Sequence, residues 1–150
     1  MLPKQNNFLA PEAQDTIEKA IQDAELLTSG EIRIHVDEKC GAPALERAAA
    51  LFHSLGMDAT AERNGVLIYL NLQGHQFAII GDAGIHAIVK QDFWDSTKEL
   101  MQNHFRHGHF LDGLLAGVQE AGKQLQQHFP RRHDDKNELA DHLSYSPDGL

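Results

Sequence analysis

The chain has 150 residues, 41% of them hydrophobic, which predicts one globular domain with a substantial core and excludes a largely disordered protein. Its formal net charge of −9 would repel phosphate backbones and attract cations, so we expect no sequence-independent binding to nucleic acid. A single cysteine excludes an internal disulfide, and the lack of a membrane-length apolar run or signal-peptide core predicts a cytoplasmic protein without direct membrane insertion.

The first half of the chain alternates helical and strand patterns. Residues 11–28 carry an apolar stripe at spacings of three and four, and Pro11 suits the first position of a helix. Residues 31–37 alternate apolar and polar side chains, which predicts a half-buried strand near a sheet edge. Residues 44–55 are predicted to form a second amphipathic helix. In the predicted strand 31–37, the side chains of Ile32, Ile34 and Val36 would face the core. Those of Glu31, Arg33 and His35 would face outward.

Two further strands follow as a hairpin. Val66 to Leu70 is an unbroken apolar run, typical of a strand covered on both faces, and Phe77 to Ile80 reads as its neighbour. The connection 71–75 is too short for a crossover, so the two strands should pair antiparallel. The preceding strand–helix–strand order predicts a parallel crossover between the first two strands.

The second half of the chain is predicted to be helical. One apolar stripe ends near Gly108, and a longer stripe is closed by Pro130. The four-residue spacing of Gly113 and Gly117 in the longer stripe indicates close packing on a neighbouring element. We therefore predict an α/β fold: a three-layer α/β/α sandwich with a small mixed sheet, combining parallel crossover and hairpin, and long C-terminal helices. A single domain would span residues 8–130, with 131–150 as a polar C-terminal tail, a surface arm or partly disordered.

No nucleophile motif is present. Cys40 and Arg47 are separated by six residues, whereas the loop of cysteine phosphatases has five, and Pro43 interrupts the segment. The nucleophile elbow, the Walker A loop, the dinucleotide fingerprint and the zinc-protease helix motif are all missing from the sequence. We therefore expect no organic cofactor, and the catalytic residues of any enzyme activity stay unknown.

Ten histidines raise the question of a transition-metal site. His104, His107 and His109 cluster at a predicted helix end, where histidine pairs at this spacing can bind zinc. Histidine at a helix C-terminus is also favoured by the helix dipole. The helix dipole is the preferred explanation for these histidines.

Oxygen ligands at the sheet rim are the remaining option. Asn64 precedes the second strand, Asp82 ends the third, and Asp92 opens the next helix. A hairpin would bring Asn64 and Asp82 to the same end, with Asp92 near them, whereas Asp37 would lie at the opposite end. Carboxylate and amide oxygens suit Ca²⁺ or Mg²⁺. Capping of helices is the alternative role of Asp82 and Asp92.

The order of several short segments resembles the TPM domain family, particularly its small soluble branch without membrane segments. Many members have a signal peptide and a C-terminal membrane helix, and we expect neither in this protein. The segments are SGEIRIHV at 29–36, RNGVLIYL at 63–70, FAIIGDAGI at 77–85, DFW at 92–94, FRHGHF at 105–110, GL at 113–114, AG at 121–122 and DKNEL at 135–139.

The resemblance implies a layered α/β/α domain that binds divalent cations, calcium especially, in an acidic groove beside the sheet. It also implies an acid phosphatase activity, which was proposed for the plant member. Roles beside membrane proteins are implied too, since founding members serve photosystem repair and modulate acetylcholine receptors. Asn64, Asp82 and Asp92 fall on matching motif positions. This chain has Gly-Asp-Ala-Gly at 81–84, where membrane-attached members commonly have Gly-Tyr-Gly-Leu-Glu.

Three functions follow as hypotheses. The first is a binding or accessory module with a weak Ca²⁺-type site at Asn64, Asp82 and Asp92. The second is a metal-assisted acid phosphatase acting on phosphomonoesters. The third is a protein-interaction domain that docks a membrane-protein partner.

Overall fold

A computed structural model of the chain describes residues 10–89, 91–131 and 143–148. These residues form a mixed four-stranded sheet with helices on both faces, as the sequence predicts. The helices are α1 (Pro11–Glu25), α2 (Ala44–Ser54), α3 (Ala83–His86), α4 (Asp95–Arg106) and α5 (Phe110–His128). The strands are β1 (Glu31–Lys39), β2 (Gly65–Asn71), β3 (Gln76–Gly81) and β4 (Leu143–Asp148), and short 3₁₀ turns cover Met57–Ala59 and Gln91–Trp94.

The strand order in the sheet is β3-β2-β1-β4. β1 and β2 are parallel, with Ile32 opposite Val66, and β2 and β3 are antiparallel, with Val66 opposite Gly81. The predicted parallel crossover and hairpin are therefore both confirmed. Their combination places the start of β2 and the end of β3 at one end of the sheet.

Helices α1, α4 and α5 cover one face of the sheet. The alternating side chains Ile32, Ile34 and Val36 of β1 point into this layer, as the period of two predicts. The other main contributors are Ile17, Ile21, Val66, Ile68, Leu70, Met101, Leu114, Val118 and Leu125.

Helix α2 covers the opposite face over β2 and β3. The unbroken apolar run of β2 is explained by this arrangement, because its alternate side chains need a hydrophobic environment on both faces. The second layer is built from Ala48, Leu51, Phe52, Met57, Leu67, Tyr69 and Ala78.

Strand β1 differs from the prediction in its position and its burial. It lies between β2 and β4 rather than at an edge, because Leu143–Asp148 pairs parallel with its outer side. Its expected outward residues Glu31, Arg33 and His35 are all buried. Residues 143–148 thus form a strand of the sheet, whereas the sequence predicts a surface arm there. Residues 132–142 lie outside the described residues. The domain limits 8–130 stay a prediction.

The C-terminal helices pack closely, as the glycine spacing predicts. A methyl group on Gly113 would lie 2.3 Å from the ring of Phe105, and one on Gly117 would lie 2.6 Å from the sulfur of Met101. Among the described residues, no helix has the length and apolar character needed to span a bilayer.

Candidate functional site

The open end of the β2–β3 hairpin brings two of the predicted site residues together. Gly81 is paired with Val66, and the amide of Asp82 donates to the carbonyl of Gly65 at 3.0 Å. Asn64 and Asp82 therefore lie at neighbouring positions of the sheet end, and both are buried. Asp37 lies opposite Asn71 at the other end of the strands, as the predicted topology requires.

The Asp82 carboxylate is fixed by three donors. Arg63 Nε donates to Oδ2 at 2.8 Å, and Arg63 Nη2 donates to Oδ1 at 3.0 Å. The amide of Ala83 donates to Oδ1 at 2.7 Å, so that Asp82 also caps α3. The Arg63 side chain is 49% exposed, which leaves solvent on the outer side of this ion pair. The carboxylate raises the pKa of Arg63 above its usual value, first by these hydrogen bonds and then by charge.

Gly84 allows the Arg63 loop to approach α3. Its amide donates to the carbonyl of Arg63 at 2.7 Å, and a methyl group on Gly84 would lie 2.1 Å from the carbonyl oxygen of Glu62. Because both neighbours are backbone atoms, only glycine fits at this position. The close approach holds the backbone of Arg63 beside the carboxylate that its side chain binds.

The structure describes the side chain of Asn64 but not that of Asp92. The Asn64 Nδ2 group donates to Ser29 Oγ at 3.3 Å, and its backbone carbonyl accepts from the amide of Glu31 at 3.4 Å. Asp92 belongs to the 3₁₀ turn Gln91–Trp94, but its side chain lies outside the described residues. The three-residue site therefore stays a prediction, with two of its members adjacent.

A second polar cluster, at the carboxyl end of β1, was missed by sequence reasoning. It is centred on Asp37, whose side chain is completely buried. Arg47 Nε donates to Asp37 Oδ2 at 2.9 Å, and the hydroxyl of Tyr69 donates to the same oxygen at 2.6 Å. His35 Nε2 lies 3.0 Å from Asp37 Oδ1, and His35 Nδ1 lies 2.6 Å from the hydroxyl of Ser144 on β4. The cluster links α2, β1, β2 and β4.

The charge states of this Asp37 cluster follow from burial and pairing. Burial alone would raise the pKa of Asp37, but hydrogen bonds from Arg47, Tyr69 and His35 together lower it. Burial also lowers the pKa of His35, and this effect outweighs the attraction of the carboxylate. A neutral His35 that donates from Nε2 to Asp37 can accept the Ser144 proton at Nδ1. Burial and the bond to Asp37 raise the pKa of Tyr69.

The Asp37 cluster holds a helix and three strands together through hydrogen bonds. The Asp37 carboxylate has no exposed surface that a ligand could contact. The one sequence signal of the cluster is the face of β1 that carries Arg33, His35 and Asp37 in alternation. That pattern also describes a solvated strand face. Only the pairing with β4 distinguishes the two, and that strand begins more than 100 residues later in the chain.

Other candidate ligand surfaces lie elsewhere among the described residues. A groove of about 510 Å³ lies between α1 and α5, lined by Ala20, Ala24, Leu27 and Leu115 with Lys19 and Lys123 among its polar residues. At the α4–α5 turn, His104 and His109 converge with Asp112, and His107 of the predicted histidine cluster is not part of this group.

The chain matches the TPM domain over residues 3–124. It is similar to the solution structure of the BA42 protein from the psychrophilic bacterium Bizionia argentinensis, with 42% identity and a TM-score of 0.84. That match covers 90% of this chain and 93% of the other. No curated protein matches the chain.

Two less similar structures show the same fold. The N-terminal domain of a Porphyromonas gingivalis (P.gingivalis) protein has 19% identity and a TM-score of 0.65, covering 83% of this chain and 82% of that one. The N-terminal domain of the cg2496 protein from Corynebacterium glutamicum has 12% identity and a TM-score of 0.64, covering 89% and 83%.

Proposed function

The chain belongs to the TPM domain family, and from that premise we propose that it is a binding or accessory module with a weak divalent-cation site. The site would be the open end of the β2–β3 hairpin, where Asn64 and Asp82 are adjacent and Asp92 is the expected third member. Ca²⁺ or Mg²⁺ is the expected ion, since the donors are carboxylate and amide oxygens. A cytoplasmic location stays a prediction.

One observation supports this proposal most directly: the buried Asp82 carboxylate already binds a cation, the guanidinium of Arg63, which lies between it and solvent. The Arg63 guanidinium is half exposed and can rotate away, so a cation could exchange with it. The exchange explains why the site would be weak, because the ion must displace two charge-assisted hydrogen bonds. Asn64 is adjacent and buried, and its side-chain oxygen would add a neutral ligand without adding charge.

The test is calorimetric titration of Ca²⁺ into the native chain and into variants with opposite expected effects. We expect Asp82→Asn to abolish binding, because it removes the anionic ligand. Arg63→Gln should strengthen binding about threefold to tenfold, because it removes the competing cation. Asp23→Asn, on the exposed side of α1, removes the same charge elsewhere and should bind like the native chain.

Two results would refute the proposed site. One is the absence of binding to both the native chain and Arg63→Gln, measured on proteins whose circular dichroism matches. The other is equal binding by the native chain and Asp82→Asn. Because Arg63→Gln is expected to gain affinity, unfolding of a variant cannot imitate the predicted pattern.

A metal-assisted acid phosphatase is the second candidate, and the exposed Arg63 favours it. A cation bound by Asp82 would release the guanidinium, which could then bind a phosphate ester beside the ion. Turnover of a chromogenic phosphate ester with and without chelator tests this at acidic and neutral pH. Turnover equal to that of buffer, or unaffected by Arg63→Gln and Asp82→Asn, would exclude this activity.

The third candidate is docking of a membrane-protein partner. The groove between α1 and α5 favours it, because Leu27 in its lining is 52% exposed and the preceding Leu26 is 66% exposed. Leu27→Asp should weaken such docking while leaving the stability of the fold within about 0.5 kcal/mol, as expected of an exposed side chain. Crosslinking in a native extract measures how much partner each chain captures. Equal capture by Leu27→Asp and the unmodified chain would exclude this surface.

A further inference from the structure

We propose that His104, His109 and Asp112 bind a first-row transition ion of the Zn²⁺ type at the turn between α4 and α5. One ligand atom from each side chain can be chosen so that all lie within 4.8 Å of one another. Two imidazoles and a carboxylate form a ligand set that suits Zn²⁺ and differs from the all-oxygen set that suits Ca²⁺. With three protein ligands, a tetrahedral ion would retain one position for water.

The turn that carries these ligands has a fixed backbone. The amide of His109 donates to the carbonyl of His104 at 3.0 Å, and the amide of Gly108 donates to the carbonyl of Phe105 at 2.9 Å. These bonds, with Gly108 at a φ of +79°, form a Schellman motif that ends α4. His104 and His109 are therefore held at a set separation by the backbone that joins them.

Helix packing brings the third ligand to the same place. Phe105 packs where Gly113 has no side chain, so that the first turn of α5 lies close to the last turn of α4. The amide of Gly113 donates to the carbonyl of His109 at 3.0 Å, which orders that first turn. Asp112 immediately precedes Gly113 and is thereby held near His104.

None of the three side chains has another bonded partner within the part of the chain that the structure describes. No side-chain hydrogen bond or ion pair is made there by His104, His109 or Asp112, although Asp112 lies in the first turn of α5, where a carboxylate can accept from free backbone amides. In contrast, His107 Nδ1 lies 2.8 Å from the carbonyl of Asn103. The helix dipole can explain each residue separately, but it does not explain why the three ligand atoms converge.

Small side-chain movements would complete the coordination. With bonds of about 2.0–2.1 Å, a tetrahedral Zn²⁺ holds its ligand atoms roughly 3.4 Å apart. The present spacing of up to 4.8 Å therefore requires shifts of about 1 Å. His109 and Asp112 are exposed and can rotate, whereas His104 is half-buried and would set the position of the ion.

This site is separate from the proposed Ca²⁺-type site. The ring of His75, in the β2–β3 connection, contacts the ring of Phe110 at 5.8 Å. The α4–α5 turn therefore lies at the closed end of the hairpin, while Asn64 and Asp82 lie at its open end. Failure of one site would leave the other unaffected.

The test uses the untagged full chain, Zn²⁺ calorimetry and the visible absorption of Co²⁺. We expect one ion per chain at this turn and a tetrahedral Co²⁺ spectrum. His104→Ala and Asp112→Asn should each weaken Zn²⁺ binding by at least about tenfold. His107→Asn is the matched control: it removes a histidine from the same turn and should retain affinity within about twofold. Thermal unfolding without metal checks that each variant is folded.

Three results would overturn the inference. The first is native affinity no greater than that of the His104→Ala, His109→Ala, Asp112→Asn triple variant. The second is an equal loss in His107→Asn and His104→Ala, which would indicate nonspecific binding to surface histidines. The third is unchanged affinity in Asp112→Asn, since the carboxylate is what distinguishes this site from a histidine pair.

Discussion

Two buried carboxylates of this protein have pKa values shifted in opposite directions. Glu25 and Asp37 are 7% and 0% exposed, so burial disfavours the ionised form of both. Asp37 has hydrogen bonds from Arg47, Tyr69 and His35, and its pKa is lowered. For Glu25, burial is the largest effect and raises the pKa to about 7. The hydrogen bond from the amide of Ile32 at 2.8 Å lowers the pKa only in part, and the nearby charge of Glu31 raises it.

The raised pKa of Glu25 predicts a specific dependence of stability on pH. The folded chain holds a proton on Glu25 that the unfolded chain releases near the ordinary value of 4.5. This stabilising contribution is complete below 4.5 and is lost as the pH rises to about 7. Glu25→Gln keeps the side chain neutral and should raise the free energy of unfolding by about 1–3 kcal/mol at pH 8, with little change at pH 4.5.

Urea unfolding of both chains between pH 4.5 and pH 8 measures this difference. Glu18→Gln, which removes a partly exposed carboxylate from the same helix, is the matched control and should show a much smaller trend. A stability difference between Glu25→Gln and the native chain that is independent of pH would contradict the assignment of the raised pKa.

At the level of elements, the α4–α5 pair depends on residues that lack a side chain. Gly113 and Gly117 are buried in α5 and face Phe105 and Met101 of α4. Glycine in a helix interior costs about 1 kcal/mol relative to alanine. Close packing of the helices offsets that cost, which explains why the four-residue spacing was informative in the sequence.

Gly113→Ala should therefore destabilise the protein despite its gain in helix propensity. The added methyl group would lie 2.3 Å from the Phe105 ring, and overpacking of this kind costs about 1–3 kcal/mol. We expect a net loss of about 1–2 kcal/mol in chemical unfolding. Gly41→Ala, where no atom lies within 4 Å of the new methyl group, should change stability by less than about 0.5 kcal/mol. A stabilised Gly113→Ala variant would contradict this packing.

At the level of the whole molecule, β4 completes the sheet from a distant part of the chain. It pairs with β1 from Ile34–Leu143 to Lys39–Asp148, and Ser144 contacts His35 of the Asp37 cluster. The hydroxyl of Tyr145 donates to Glu38 Oε1 at 2.5 Å on the same strand pair. The β1 residues that the sequence would place in solvent are buried in this arrangement.

A chain that ends at Arg131 should be less stable by about 2–4 kcal/mol, because several backbone hydrogen bonds worth about 1 kcal/mol each are lost. It should also associate at high concentration, since the edge of β1 becomes available for pairing. Urea unfolding and light scattering measure the two effects. A chain that ends at residue 148 retains β4 and is the control. Equal unfolding midpoints for the two chains would show that β4 contributes no stability.

Most of the helices, the central strands and the hairpin could be predicted from the sequence. Their signals are local: a period of two in β1, an apolar run in β2, stripes of period 3.6 in the helices, and a connection too short for a crossover. The adjacency of Asn64 and Asp82 followed from the same local rules. The partner of Asp82 did not follow from them, because Arg63 reaches it through a side chain across the end of the hairpin.

The amino-acid sequence thus determined the local elements and the ends of the sheet to which they bring their polar residues. The tertiary structure alone decided that the polar face of β1 is buried and that the Arg63 guanidinium pairs with the Asp82 carboxylate. It also decided that Asp112 lies beside His104 and His109. The physical reason is range. Periodicity and turn chemistry act over a few residues, whereas these contacts depend on which distant surfaces pack together and how much water they exclude.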